Sequence, residues 1–200
     1  EGGWSWFKDF RPNRSITQYI LYGFSQLQEL KAIEFIDEIR TLQKKALSYI
    51  DSEALRSFDQ LKKQDKNWRN IKIISTPDLE YLYVRSAYPQ YALSKEVQEM
   101  VNFYTASLVS NWTKYGLYER SLIAVLMSRW GKQSVVTDIL NSFREHATVN
   151  NEMGMFWANN RSNVFMSQSA VSVHTFIMDA FRVGGAKSGE MDNMKRWLLK

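Results

Sequence analysis

The sequence predicts an all-α fold, and three observations predict it. Hydrophobic residues make up 44% of the 200 residues and aromatics 14%, enough large apolar side chains for a sizeable core. Only three Pro and nine Gly are present, too few for a sandwich or parallel sheet, which needs turn residues every 8–12 positions or so. Apolar residues recur at three- and four-residue spacing through most of the chain, the period of helices that bury one face.

Each helix has its own grounds. The opening Gly2-Gly3-Trp4-Ser5-Trp6-Phe7 reads as an aromatic turn, and Pro12 prepares a helix start at Ser15, with Gln18 placed to complete a capping box. Ile16, Tyr19, Ile20, Phe24, Leu27 and Leu30 then share a face. Phe35, Ile39, Leu42, Ala46, Tyr49 and Ile50 mark a second helix, with a continuation from Ser52 through Leu55, Phe58 and Leu61. Residues 65–75 read as a loop, with Ile71, Ile73 and Ile74 tucked under it. Thr76-Pro77-Asp78 opens a helix: a capping hydroxyl, Pro in the first turn, and a carboxylate at the positive end of the dipole. That helix stops near Pro89.

Ser94 starts the next, with Val97, Met100, Val101, Tyr104, Leu108 and Trp112 on one face. After Gly116, Leu117 to Trp130 is apolar nearly all round, which predicts a buried helix. An amphipathic helix follows with Val136, Ile139, Leu140, Phe143 and Ala147. Residues 148–166 read as irregular, with at most a short β-hairpin near 153–166 built from Met153–Trp157 and Val164–Met166. Helices from about Ser167 to Val183 and from Ser188 complete the set.

Eight or so helices on short turns, an apolar one followed by an amphipathic one, predict stacked helical hairpins. The expected architecture is an α/α toroid in one helical domain over 1–200, with a ring that this chain need not close. No repeat of 34 or so residues is visible, which disfavours a tetratricopeptide array.

Composition narrows function further. Lys and Arg exceed Asp and Glu by 26 to 21, but the basic residues are interspersed with acids, as in Lys62-Lys63-Gln64-Asp65-Lys66, and read as solvated helix faces rather than a nucleic-acid surface. The absence of Cys excludes disulfides, thiolate zinc ligands and thiol nucleophiles. His146 and His174 lie 28 positions apart, not four as a zincin helix requires, and read as structural imidazoles. Gly184-Gly185-Ala186-Lys187-Ser188-Gly189 lacks P-loop spacing, and no Gly-x-Ser-x-Gly elbow occurs. No cofactor, metal or catalytic group is therefore assigned.

Helical toroids can carry paired carboxylates for glycoside chemistry, with the acids about 5–9 Å apart. The acids near aromatics are Asp9, Asp78, Glu80, Glu119 and Glu152; Asp78 and Glu119 are accounted for as first-turn dipole partners, leaving Asp9 and Glu152 beside Trp-rich turns. Trp4, Trp6, Phe156 and Trp157 could stack on sugars or on a partner; the favoured reading is that they plug the ends of helical hairpins. A cyclase or prenyltransferase of similar shape would need Asp-Asp-x-x-Asp or a comparable acidic motif, which is absent.

Several segments together resemble one family. Gly2-Gly3-Trp4-Ser5-Trp6-Phe7, Arg11 to Ile20, Gly116-Leu117-Tyr118, Gly154-Met155-Phe156-Trp157 and Met194-Lys195-Arg196-Trp197-Leu198-Leu199 resemble the thioester-type helical domain of bacterial alpha-2-macroglobulins. The resemblance implies an α/α toroid inside a large multidomain protein of the bacterial cell envelope, at the periplasmic or outer surface, which traps proteinases. Its partners would be neighbouring β-sandwich domains of the parent chain and, through the whole parent, target proteinases; whether the parent is membrane-anchored stays open. The family's Cys-x-Glu-Gln thioester motif has no counterpart here; in the parent it would have to lie upstream, and family members without it would trap non-covalently, so no reactive residue is carried over. The start without Met and the end inside an amphipathic pattern lead to the expectation that the chain is a fragment. The alternative expectation is a carbohydrate-active α/α toroid with a carboxylate pair and Trp-lined sugar contacts.

Overall fold

The computed structural model describes residues 2–32, 36–160 and 169–200. Eight α-helices and one two-stranded antiparallel sheet lie among them, an all-α fold with a short hairpin. The chain forms two compact units, Glu1–Leu108 and Val109–Lys200.

The first unit begins with α1 (Arg14–Glu29). Its cap is Asn13, whose Oδ1 accepts from the Ile16 backbone N–H at 3.0 Å, rather than Ser15. Gln18 does not reach back; it accepts from Arg14 Nε at 2.7 Å. Helix α2 (Asp37–Gln64) runs without interruption through Ser52, whose hydroxyl donates to the Ser48 carbonyl. Phe35, expected at the head of this helix, lies outside the described residues. A 3-10 turn at Trp68–Asn70 leads to α3 (Thr76–Ser86). Ser75, not Thr76, caps α3 by accepting from the Asp78 N–H. Of the isoleucines before it, Ile74 is buried, while Ile73 is exposed. α4 (Lys95–Asn111) follows a Ser94 cap.

Helices α1, α2 and α3 pack on one another, each against its neighbour and α1 also against α3. Leu21, Ala46, Ile50, Ala54, Leu79, Leu82 and Tyr88 are fully buried there. The aromatic opening is tied to this core: the Trp4 N–H donates to Thr17 Oγ1 at 2.9 Å, and Tyr49 Oη donates to the Pro12 carbonyl at 2.9 Å. Gly2 is required because a Cβ there would overlap the Lys45 carbonyl.

In the second unit α5 (Leu117–Arg129) is the central helix, with Leu122 to Met127 all buried. It packs against α6 (Gln133–His146) and α7 (Ala170–Gly184), and α7 packs in turn against α8 (Glu190–Leu198). Between α6 and α7, β1 (Thr148–Asn150) pairs with β2 (Gly154–Phe156), Val149 opposite Met155. The expected strand at Met153–Trp157 is thus present, but its partner precedes it. Val164–Met166, proposed for that role, lies outside the described residues, as does the start of the last-but-one helix at Ser167. The sheet packs against α8. Gly154 permits this: its φ is +75° and a Cβ would overlap the Asn193 carbonyl.

Candidate functional site

The candidate acids are held in different ways. Asp78 is buried. Its Oδ1 receives Arg14 at 2.8 Å, and its Oδ2 accepts from Ser75 Oγ at 2.7 Å and Ser57 Oγ at 3.2 Å. The carboxylate thus joins α1, α2 and α3, a larger role than the dipole partner expected from its first-turn position. Tyr104 also hydrogen-bonds it from α4, and burial first, then the Asp78 charge, pushes the Tyr104 phenol up.

A second buried polar knot sits nearby, and sequence reading missed it. Asp51 on α2 accepts from Tyr81 Oη at 2.7 Å and from Arg85 Nε at 3.1 Å. Arg85 also donates to the carbonyls of Tyr88 and Tyr91, closing the turn after α3. Burial raises the Asp51 pKa more than Arg85 lowers it, and burial with the adjacent Asp51 charge holds the Tyr81 phenol protonated far above its ordinary range. These residues are 30 and 34 positions apart, and no local pattern announces them.

Asp9 is exposed, in the aromatic opening, with φ +66°. Glu152 is exposed in the turn between β1 and β2. Glu80 and Glu119 are half-buried on α3 and α5.

The four singled-out aromatics divide. Trp157 is 2% exposed; its Nε1–H donates to the Phe143 carbonyl at 3.0 Å, and its ring packs on Phe143, Phe181 and His174. It closes the end of α6 against α7. Trp4 is half-buried with its ring 6.2 Å from Phe24, and Phe156 is half-buried on β2. Trp6, by contrast, is 66% exposed, and Phe7 and Phe10 are each 67% exposed, the last two in edge-to-face contact at 5.6 Å. The plug reading thus describes Trp157, while Trp6 belongs to an exposed aromatic turn flanked by Lys8 and Arg11.

The two histidines are equally distinct. His146 is exposed at the end of α6, with Nδ1 2.7 Å from the Ser142 carbonyl. His174 on α7 is fully buried, and its Nε2 lies 3.0 Å from the Met194 carbonyl on α8. Burial pushes its pKa below the ordinary value. Among the described residues no group of three or more His, Asp or Glu is placed to hold a metal ion, and no helix is long and apolar enough to cross a membrane. Across α6 and α8, Arg144 grips Glu190 through two bonds of 2.7 and 3.1 Å, and these bonds hold the Glu190 carboxyl below the usual range.

Comparison of the chain with protein families, with characterised proteins and with solved structures brings no match.

Proposed function

We propose that this chain is a non-catalytic helical module of a macroglobulin-like proteinase trap, acting as a structural and docking module within a larger parent. The observation that carries the reading is the use made of its reactive-looking side chains. Asp78 bonds three partners across α1, α2 and α3, Asp51 is bound by Tyr81 and Arg85, and Trp157 is sealed over the end of α6. Saturated buried polar groups rigidify the packing around them, which suits a structural rather than a catalytic use of each unit.

Three further features support it. The segments on which the macroglobulin resemblance rests are working parts of this fold: Gly2 and Trp4 dock the opening on α1 and α2, Gly154 lets β2 approach α8, and Met194 accepts the His174 bond. Helices that pack on the next but one, α1 on α3 and α5 on α7, suit hairpins laid side by side, the local pattern of an α/α toroid. The exposed Trp6, Phe7 and Phe10 supply an apolar surface of the kind that contacts neighbouring domains. With no Cys in the chain, trapping through this segment is non-covalent. Envelope location and β-sandwich neighbours belong to the same proposal.

The test is the native polypeptide that carries this sequence. Its peptides, mapped by mass spectrometry from the producing cell's envelope fraction, are expected to include flanking β-sandwich domains of about 100 residues each. A native polypeptide without such domains refutes the assignment.

A further inference from the structure

We propose that His174 is a proton-operated latch that holds α8 against the second unit and releases it on acidification. This inference is independent of the proposed function.

The geometry of the latch is complete within one unit. His174 projects from α7 into a sleeve of two indoles. Trp197 of α8 stacks on the ring at 4.3 Å between centroids and 26° between planes, and Trp157 meets it edge-on at 5.7 Å. Because Nε2 faces a carbonyl, that of Met194, it must carry the proton and donate. Nδ1 is then a bare acceptor, and among the described residues it has no hydrogen-bond partner. The ring, 0% exposed, has no water to turn to.

A second proton can only go to Nδ1. It would create a cation with one N–H unpaired in an aromatic sleeve, and among the described residues no charged group has a resolved influence on the ring. Among the described residues the charged groups on the elements around it are paired elsewhere or lie at the surface, Asp192 and Lys195 of α8 pairing with each other. On α8, Glu190 is paired with Arg144 of α6, and Arg196 donates to the Asn151 carbonyl. On α7 itself Asp179 is paired with Arg182. Glu152 of the β-turn is exposed, and Glu119 of α5 lies beside Gly116. Burial is the dominant influence on the ring, lowering its proton affinity, with the Met194 bond opposing it.

The sign of the linkage follows. The released ring titrates at its ordinary value of 6.5, and the latched ring below it, so the open form binds the proton more tightly. The latch is at full strength above pH 6.5. Below it, the equilibrium for opening rises toward tenfold per pH unit until the latched ring itself titrates. Stacking by Trp197 and the Met194 bond both come from α8, so α8 is the element that lets go. Its opening uncovers Trp157 and Trp197. Glu190 keeps its bond to Arg144 through this window, because its own carboxyl is held below the usual range, so the histidine acts first.

The test uses the whole chain and needs no labelling of one ring against many, since it has only two histidines. Proton NMR of the imidazole C–H signals between pH 4 and 8 is expected to show His174 titrating below its ordinary value of 6.5. Amide exchange of residues 190–198, corrected for its intrinsic pH dependence, is expected to lose protection between pH 7 and 5, by no more than about tenfold per pH unit. His174→Gln, neutral at all these pH values, is expected to abolish that pH dependence. The proposal is overturned if His174 titrates at or above 6.5, if α8 protection is unchanged between pH 7 and 5, or if His174→Gln retains the wild-type loss. Should that variant not fold, the two wild-type measurements decide alone.

Discussion

Replacing Trp157 tests whether this ring is a plug or an unoccupied binding platform. The side chain is 2% exposed, contacts Phe143, Phe181 and His174, and donates to the Phe143 carbonyl at 3.0 Å. Trp157→Ala leaves a large cavity, for which core Trp or Phe truncations lose about 3–5 kcal/mol. The hydrogen bond can be separated from the volume: Trp157→Phe keeps most of the ring but strands a buried carbonyl, which costs about 1–3 kcal/mol. The expected order is therefore wild type, then Phe, then Ala. Trp6→Ala is the control, because a ring 66% exposed should change stability by no more than about 0.5 kcal/mol. Urea unfolding followed by circular dichroism reports the helices without interference from the other indoles. Since the chain forms two units, amide exchange should assign the loss to residues 109–200. A Trp157→Ala protein within about 1 kcal/mol of wild type would refute the plug.

The remaining predictions concern other joints. Asp78→Ala strips Arg14, Ser57 and Ser75 of a shared buried acceptor and should destabilise the first unit by about 3–5 kcal/mol, the usual loss when one partner of a buried ion pair is removed; urea titration of the variant measures it. Asp78→Asn keeps the shape but loses the charge and should fall between wild type and Ala. Gly154→Ala forces a side chain onto the Asn193 carbonyl at a φ of +75°, so its melting temperature should drop by several degrees, in line with a loss above about 1 kcal/mol. A double change of Trp6 and Phe7 to Ser should leave stability unchanged and, on the proposed docking role, weaken association with the neighbouring domains, readable by co-purification of separately expressed pieces.

The helices were largely legible in the sequence, because the apolar period is a local signal and caps are written in adjacent residues. The errors were also local and have physical causes. Ser75 and Thr76 offer two hydroxyls side by side, and only backbone geometry selects Ser75 as the cap. Asn13 competes with Ser15, and Asn is as good a cap as Ser. Ser52 looks like a restart, yet its hydroxyl bonds back to Ser48 and the helix continues. The strand Thr148–Asn150 was missed because three exposed residues carry no alternation to detect. What the sequence hides most thoroughly is the polar framework: Arg14 with Asp78, Asp51 with Arg85, and Arg144 with Glu190 are 64, 34 and 46 positions apart. The distinction between the two histidines is likewise tertiary, since His174 is buried by Trp157 and Trp197 from elsewhere in the chain. Asp78 illustrates both levels, its first-turn position being readable and its junction of α1, α2 and α3 not.

Proteinase challenge of the native parent tests the central claim most directly. Purified parent is mixed with an endopeptidase, and residual activity is measured on a large protein substrate and on a short peptide. A trap that encloses its target predicts loss of cleavage of the large substrate with the peptide still hydrolysed. Equal cleavage of both substrates with and without the parent would contradict the account.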